Sequence, residues 1–251
     1  MSAPACRLVD VAYAYPDGTA ALAGVTFDIA PGEKIAVIGP NGAGKSTLLL
    51  HLNGVLLAAK GRVEIDGMEV CRKNLGEIRR RVGVVFQNPD DQLFCPTVRE
   101  DVAFGPRNMG LADGEVQGRV RSALEVVGMT GFENRSAHHL SYGQKKKVAI
   151  ATVLSMRPSL WAFDEPTANL DPASLRAVEA FIRAQEDTVV VVTQDLAFAA
   201  RTCGRIVALE EGRVALDGPL DGILSRPAEL ERLGIDFSRQ CDLCEKIRGA
   251  V

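Results

Sequence analysis

The sequence predicts an α/β fold: a mostly parallel sheet with helices on both faces, an antiparallel β flank, and a helical subdomain inserted into the core. Three observations predict it. Short apolar runs, "KIAVI", "SLWAF" and "TVVVV", alternate with stretches of helical period, as strands buried on both faces do when helices connect them. Residues from about Arg7 to Ile29 alternate apolar and polar, with turn signals at "YPDG" and "AG", which marks antiparallel strands. From about 88 to 158 the strand signal gives way to apolar residues three and four apart, the period of helices.

Each element follows in order. "KIAVIGPNGAGKSTLLLHLNGVL" runs strand, glycine loop, helix, and "GRVEIDG" is a short strand between glycines that joins the β flank. "RRRVGVVFQNPDDQLF" is a strand that ends in a polar loop. "TVREDVAFG" and "EVQGRVRSALEVVGM" are helices, the first with Thr97 as its N-cap. "SYGQKKKVAIATVLSM" is a helix with a polar start. "SLWAFDEPT" is a buried strand, "SLRAVEAFIRAQ" a helix, and "TVVVVTQD" a strand whose four valines suit the middle of a parallel sheet. "GRIVALEEGRVALDG" is a hairpin, with short helices after it. The expected domain spans 1–240, with a short tail over 241–251.

At 251 residues the chain can bury a sizeable core. Its 29 basic and 32 acidic residues give a formal net charge of −3, without the basic excess of a nucleic-acid binder. Aromatics at 5% offer little platform for stacked bases. "MSAPACRLVDVAYAYPDG" is not a secretory signal, and no apolar run approaches the ~20 residues that span a bilayer. Of six cysteines only Cys241 and Cys244 are close together, and with no second pair or histidine cluster they read as an unmetallated tail. Reduced thiols of the cytosol are expected. His51, His138 and His139 have no ligand set around them and are packing or surface residues.

"GPNGAGKST" matches G-x-x-x-x-G-K-S/T between a strand and a helix. In Gly39, Pro40, Asn41, Gly42, Ala43 and Gly44 the glycines let backbone N–H groups turn inward as an anion nest, and the helix N-terminus adds positive dipole. Lys45 supplies charge to the β- and γ-phosphates, Ser46 is placed to ligate Mg²⁺, and Thr47 follows in the helix. The strand "LWAFDE" ends in Asp164 and Glu165. Asp164 is a candidate Mg²⁺ holder and Glu165 a candidate base for the attacking water.

"LSYGQKKKVAIA" resembles the signature of ATP-binding-cassette (ABC) ATPases, usually LSGGQ, and its Leu140 stands 24 residues before Asp164. Phe86-Gln87 is similar to that family's Q-loop, Ala168 to Asp171 to its D-loop, and Tyr15 to its adenine-stacking aromatic. The resemblance covers almost the whole chain, in order. It implies a RecA-like P-loop NTPase core that binds ATP with Mg²⁺, with Gln87 serving both metal and catalysis. It also implies a head-to-tail dimer in which Ser141, Tyr142, Gly143 and Gln144 of one chain face the ATP of the other. Ser141 and Gly143 at a helix N-terminus suit such a second anion site. Loss of ATP binding by the monomer on mutating Ser141 would count against it.

"VGVVFQNPDDQLFCPTVREDVAFGPRNMGL", with "HLNGVL", resembles the ATPases of energy-coupling-factor importers, most of all the cobalt/nickel branch. That implies a second ATPase subunit, expected to be another copy of this chain, with a membrane coupling subunit and a substrate-binding membrane component. It further implies a place on the cytoplasmic face of the bacterial plasma membrane, and no nucleic-acid partner. Asp90, Asp91 and Gln92, beside Leu93 and Phe94 expected to be exposed, suit gripping a cationic helix of a partner.

Three departures stand out. Tyr142 replaces a small residue and is expected to crowd the signature turn. Lys147 stands where many relatives carry arginine and loses its bidentate fork. Gln194 stands where the family has a histidine that contacts the γ-phosphate and attacking water; it keeps amide donors but cannot titrate. Two other readings compete with a transport motor. A soluble ABC ATPase of translation or DNA repair would usually show tandem cassettes or a long coiled coil, and neither is seen. A weakly hydrolysing regulatory subunit is favoured by Gln194 and opposed by the intact Lys45, Asp164 and Glu165.

Overall fold

The computed structural model describes residues 3–235. The pair Cys241 and Cys244, and the tail expected over 241–251, lie outside them. Strands β1 (Cys6–Ala14) and β2 (Ala20–Ile29) pair antiparallel, as their alternation predicts. Next come β3 (Lys34–Ile38), the glycine loop and α1 (Lys45–Leu52). Strands β4 (Lys60–Ile65) and β5 (Met68–Glu69) complete a four-stranded antiparallel sheet in the order β2-β1-β4-β5.

Helix α2 (Leu75–Arg81) precedes β6 (Val82–Val85). Here the sequence expectation fails: Arg79, Arg80 and Arg81 belong to the helix and not to the strand. Then come α3 (Val98–Asn108), α4 (Asp113–Val126) and α5 (Tyr142–Leu154). Thr97 caps α3 through a reciprocal box with Glu100, and Ser141 caps α5 through one with Gln144. The three helices share an apolar cluster of their own that includes Val98, Val102, Val120, Leu124, Val148 and Ala151.

The chain returns through β7 (Leu160–Asp164), α6 (Pro172–Ala184), β8 (Thr188–Val192) and α7 (Leu196–Thr202). It continues with the hairpin β9 (Arg205–Glu210) and β10 (Arg213–Pro219), then α8 (Leu220–Leu224) and α9 (Pro227–Arg232). The six-stranded sheet has the order β10-β9-β3-β8-β7-β6. All its neighbours run parallel except the edge pair of β9 and β10. Its two faces bury different residues. Ile35, Val37 and Val190 pack toward α1 and the antiparallel sheet, while Ala36, Ile38, Phe163 and Val191 pack toward α6 and α7. No helix among the described residues is long and apolar enough to cross a membrane.

Candidate functional site

Parallel register decides where the chemistry gathers. Val37 pairs with Val192, and Val192 with Asp164, so β3, β7 and β8 end at one edge of the sheet. Open α/β sheets bind ligands there, outside the carboxyl ends of the strands. The glycine loop leaves β3 at this edge, Asp164-Glu165 leave β7, and Thr193-Gln194 leave β8. Gln87 arrives from β6. Asn41, Gly42 and Gly44 of the loop, with Gln87, Glu165 and Gln194, line a cleft of about 610 Å³, within the range of small-molecule sites.

The loop is shaped by close approach. A Cβ on Gly39 would sit 2.3 Å from the Leu209 carbonyl oxygen, and one on Gly44 2.3 Å from that of Ala21. Gly44, at φ 97°, precedes α1 in the left-handed region, which glycine adopts without steric cost. Ala43 is buried behind the loop, and Gly42, Asn41, Lys45 and Thr47 line the cleft. Lys45 is itself buried and donates to the carbonyls of Gly39 (2.8 Å) and Pro40 (2.9 Å). Burial pushes its pKa down, and the charges of Glu165 and Asp164 oppose the shift.

On the floor Ser46 Oγ donates to Asp164 Oδ1 at 3.0 Å. Burial raises the Asp164 pKa, against the Ser46 hydrogen bond and the charges of Lys146 and Lys45. A hydroxyl and a carboxylate side by side are hard oxygen donors of the kind Mg²⁺ takes. With the Gln87 amide lining the same cleft, the residues present fit that ion. Among the described residues no histidine, cysteine and carboxylate cluster suggests another metal.

Glu165 has φ 39°, a strained conformation for a residue with a side chain. Its Oε2 accepts the Gln194 backbone N–H at 3.3 Å, while its buried Oε1 has no hydrogen-bond partner among the described residues. Burial raises its pKa, against hydrogen bonds from Gln194 and Thr193 and the charge of Lys45. A partly desolvated carboxylate on the cleft wall, its affinity for a proton raised by burial, suits a general base. The Gln194 side chain donates from Nε2 to Asn41 Oδ1 at 2.6 Å, tying the end of β8 to the loop.

Tyr15 lies at the cleft mouth just beyond β1, and its hydroxyl meets Thr47 Oγ1 at 2.9 Å. Tyr13 packs against the core and meets Tyr15 edge to face. His51 is buried beside Tyr13, with Nδ1 2.7 Å from the Thr47 carbonyl oxygen, a packing role as expected. Thr19, Thr167 and Asp195 also line the cleft. Sequence reading did not single them out because they are turn and cap residues, carried into the cleft by their neighbours Tyr15, Glu165 and Gln194.

The signature lies apart: Ser141, Tyr142, Gly143 and Gln144 are not among the residues lining this cleft. A Cβ on Gly143 would lie 2.3 Å from Ser174 Oγ, so a larger residue there would have to displace the hydroxyl that bonds Asp171. Tyr142 does not crowd the turn. It is the first residue of α5, and its hydroxyl reaches away to donate to the Gln87 carbonyl oxygen at 3.0 Å.

The expected docking loop needs correction. Leu93 is buried, packed in the cluster of α3, α4 and α5. Gln92 is occupied inside the chain: it accepts the Phe86 N–H at 3.1 Å and donates to Ala149 O and Thr152 Oγ1, both at 2.8 Å. Asp90 pairs with Lys145 at 2.6 Å. Asp91 and Phe94 do stand exposed, and Phe94 meets the exposed Phe104 edge to face.

A parallel sheet with a glycine loop, a lysine and two carboxylates at its carboxyl edge defines a P-loop nucleotide-hydrolysing fold. A family model described as ABC transporter matches residues 22–168. The chain is similar to the energy-coupling factor transporter ATP-binding protein EcfA of Methanothermobacter thermautotrophicus, 48% identical over 97% of this chain and 80% of that protein. It is also similar to cbiO1 of Clostridium perfringens, part of the ABC transporter complex cbiONQ. There the TM-score is 0.79 at 35% identity, covering 96% of this chain and 99% of that one. A dimeric ATP-binding cassette in a post-hydrolysis state with ADP and Pi gives a TM-score of 0.75 at 29% identity, covering 86% and 98% of the two chains. The chain belongs to the ABC transporter family and is one of its ATPases. The family that the signature and phosphate loop resemble is the one found.

Proposed function

We propose that this chain is the ATP-hydrolysing subunit of an energy-coupling-factor importer whose cargo is cobalt or nickel ions. The observation that carries the hydrolytic half is Glu165, with Oε2 held by the Gln194 N–H and Oε1 left without a partner beside Lys45 and the Ser46–Asp164 pair. The transport half rests on similarity to EcfA and cbiO1.

In this reading the loop N–H groups and Lys45 hold the β- and γ-phosphates, and Tyr15 stacks on the adenine. Ser46, Asp164 and Gln87 hold Mg²⁺, which when bound neutralises charge on the phosphate oxygens. The Glu165 carboxylate takes a proton from the attacking water, and Gln194 supplies a neutral donor near the γ-phosphate. Ser141, Gly143 and the α5 N-terminus face the nucleotide of a second copy. Asp91 and Phe94, with Asp90, grip a cationic helix of the membrane coupling subunit at the cytoplasmic face of the plasma membrane, and a separate membrane component binds the cargo.

One observation favours a second reading, a slowly hydrolysing regulatory subunit: the Gln194 amide is engaged with Asn41 and carries no charge. Purification from membranes with the intact complex, followed by cobalt and nickel uptake with wild type and Glu165→Gln, which keeps the nucleotide and loses the base, separates the two. Metal uptake that the variant abolishes supports the motor. Uptake that survives it refutes the motor.

A further inference from the structure

The segment from Phe86 to Gln92 does not hang free between β6 and α3; it is stitched along α5. Lys146 Nζ donates to the carbonyl oxygens of Phe86 (2.9 Å) and Gln87 (2.8 Å), and the Tyr142 hydroxyl donates to that of Gln87 (3.0 Å). Tyr142 and Lys146 are four residues apart and so share a helix face. Gln92 ties the Phe86 N–H to α5, and Lys145 holds Asp90.

The Lys146 contact is costly to keep. Its side chain is 1% exposed, and taking an ammonium out of water is expensive unless polar groups replace the hydration. Here two carbonyls just past a strand end do so. The tyrosine hydroxyl adds what a small residue at that position cannot: a donor long enough to reach the same peptide. The two side chains come from successive turns of α5, so the helix cannot turn or shift without drawing the Gln87 main chain with it.

We infer that Tyr142 and Lys146 are positioning residues for Gln87, locking its peptide to the first turns of α5 so that the Gln87 amide and the Ser141 cap move as one body. This rests on the reading above that Gln87 serves the hydrolytic site and Ser141 the partner's nucleotide. A small residue at 142 would leave that peptide held by Lys146 alone. A docking partner that pushes on Asp90 would be felt at both places through the same face of α5.

The test is a double-mutant cycle on the purified full chain, using Tyr142→Phe, Gln87→Ala and their combination. Steady-state kcat and KM for MgATP are read well below each variant's unfolding midpoint. Tyr142→Phe removes one hydroxyl and keeps the ring. It is expected to lower kcat roughly three- to tenfold, or about 0.7–1.4 kcal/mol at ~1.4 kcal/mol per decade, with KM within about twofold of wild type. In the Gln87→Ala background the same change is expected to alter kcat less than about twofold. Lys146→Gln, which keeps a neutral donor in place, is expected to show the same dependence on Gln87. A wild-type kcat for Tyr142→Phe overturns the inference. So does an undiminished loss in the Gln87→Ala background, which would place the hydroxyl on the partner's nucleotide instead. A wild-type kcat for Gln87→Ala overturns the hydrolytic role of Gln87 itself, and this inference with it.

Discussion

Gln194→His isolates one side chain in the proposed machinery. The Gln194 backbone N–H to Glu165 Oε2 is a main-chain contact, so the substitution leaves the base held. What changes is the donor, now a neutral amide 2.6 Å from Asn41 Oδ1. A hydrogen bond between neutral groups contributes ~0.5–1.5 kcal/mol and one involving a charge ~1.5–3 kcal/mol. The difference on protonating an imidazole is then roughly 1 kcal/mol or a little more, and solvent at this exposed position trims it. A gain of roughly three- to tenfold in kcat follows. It should emerge as pH falls through about 6.5, where free histidine titrates. The assay is steady-state ATPase of both proteins across neutrality, plotted as the ratio of their kcat values. Protonation of Glu165 affects both proteins and largely cancels in that ratio. A ratio that is flat and near one refutes the reasoning: residue 194 would not meet the γ-phosphate.

Glu165→Gln keeps shape and loses basicity. Turnover is expected to fall roughly 10²–10⁴-fold, the span of a general base, while ATP binding measured by filter retention persists. Ser141→Ala should leave nucleotide binding by the monomer intact and impair hydrolysis, read by comparing ATP affinity with kcat. Asp91→Lys is expected to uncouple metal uptake while detergent-free ATPase stays within about twofold; Asp90→Lys is the weaker probe because it also breaks the Lys145 pair, worth ~0.2–1 kcal/mol at an exposed site.

Much of this architecture was legible because its causes are local. The glycine loop, the buried run Thr188–Val192 and the N-cap at Thr97 are short-range statements about backbone and side chain. Helix α2 was not legible. Only Ile78 of its seven residues is buried, so it has no apolar stripe to announce it, and the three arginines joined themselves to the strand that follows. Leu93 failed for the opposite reason. It sits among Asp90, Asp91, Gln92 and the exposed Phe94, and its burial is decided by α3, α4 and α5 closing over it. The Gln92 amide N–H groups find their acceptors 57 and 60 positions away, farther than any window of sequence contains.

The lysine run 145–147 shows why such residues resist sequence reading. Three consecutive lysines after a signature look like one solvated patch. On a helix of ~3.6 residues per turn each points about 100° from the last. Lys145 therefore reaches Asp90, Lys146 turns inward to the carbonyls of Phe86 and Gln87, and Lys147 lies half-buried beside a small apolar cavity with Ile150 and Val178. Residue type says nothing about which of the three is sacrificed to the interior. That is settled by where unpaired carbonyls lie on the facing segment, at the end of β6. A polar residue is assigned by the unsatisfied groups opposite it, and those are fixed only when the sheet and the helices meet.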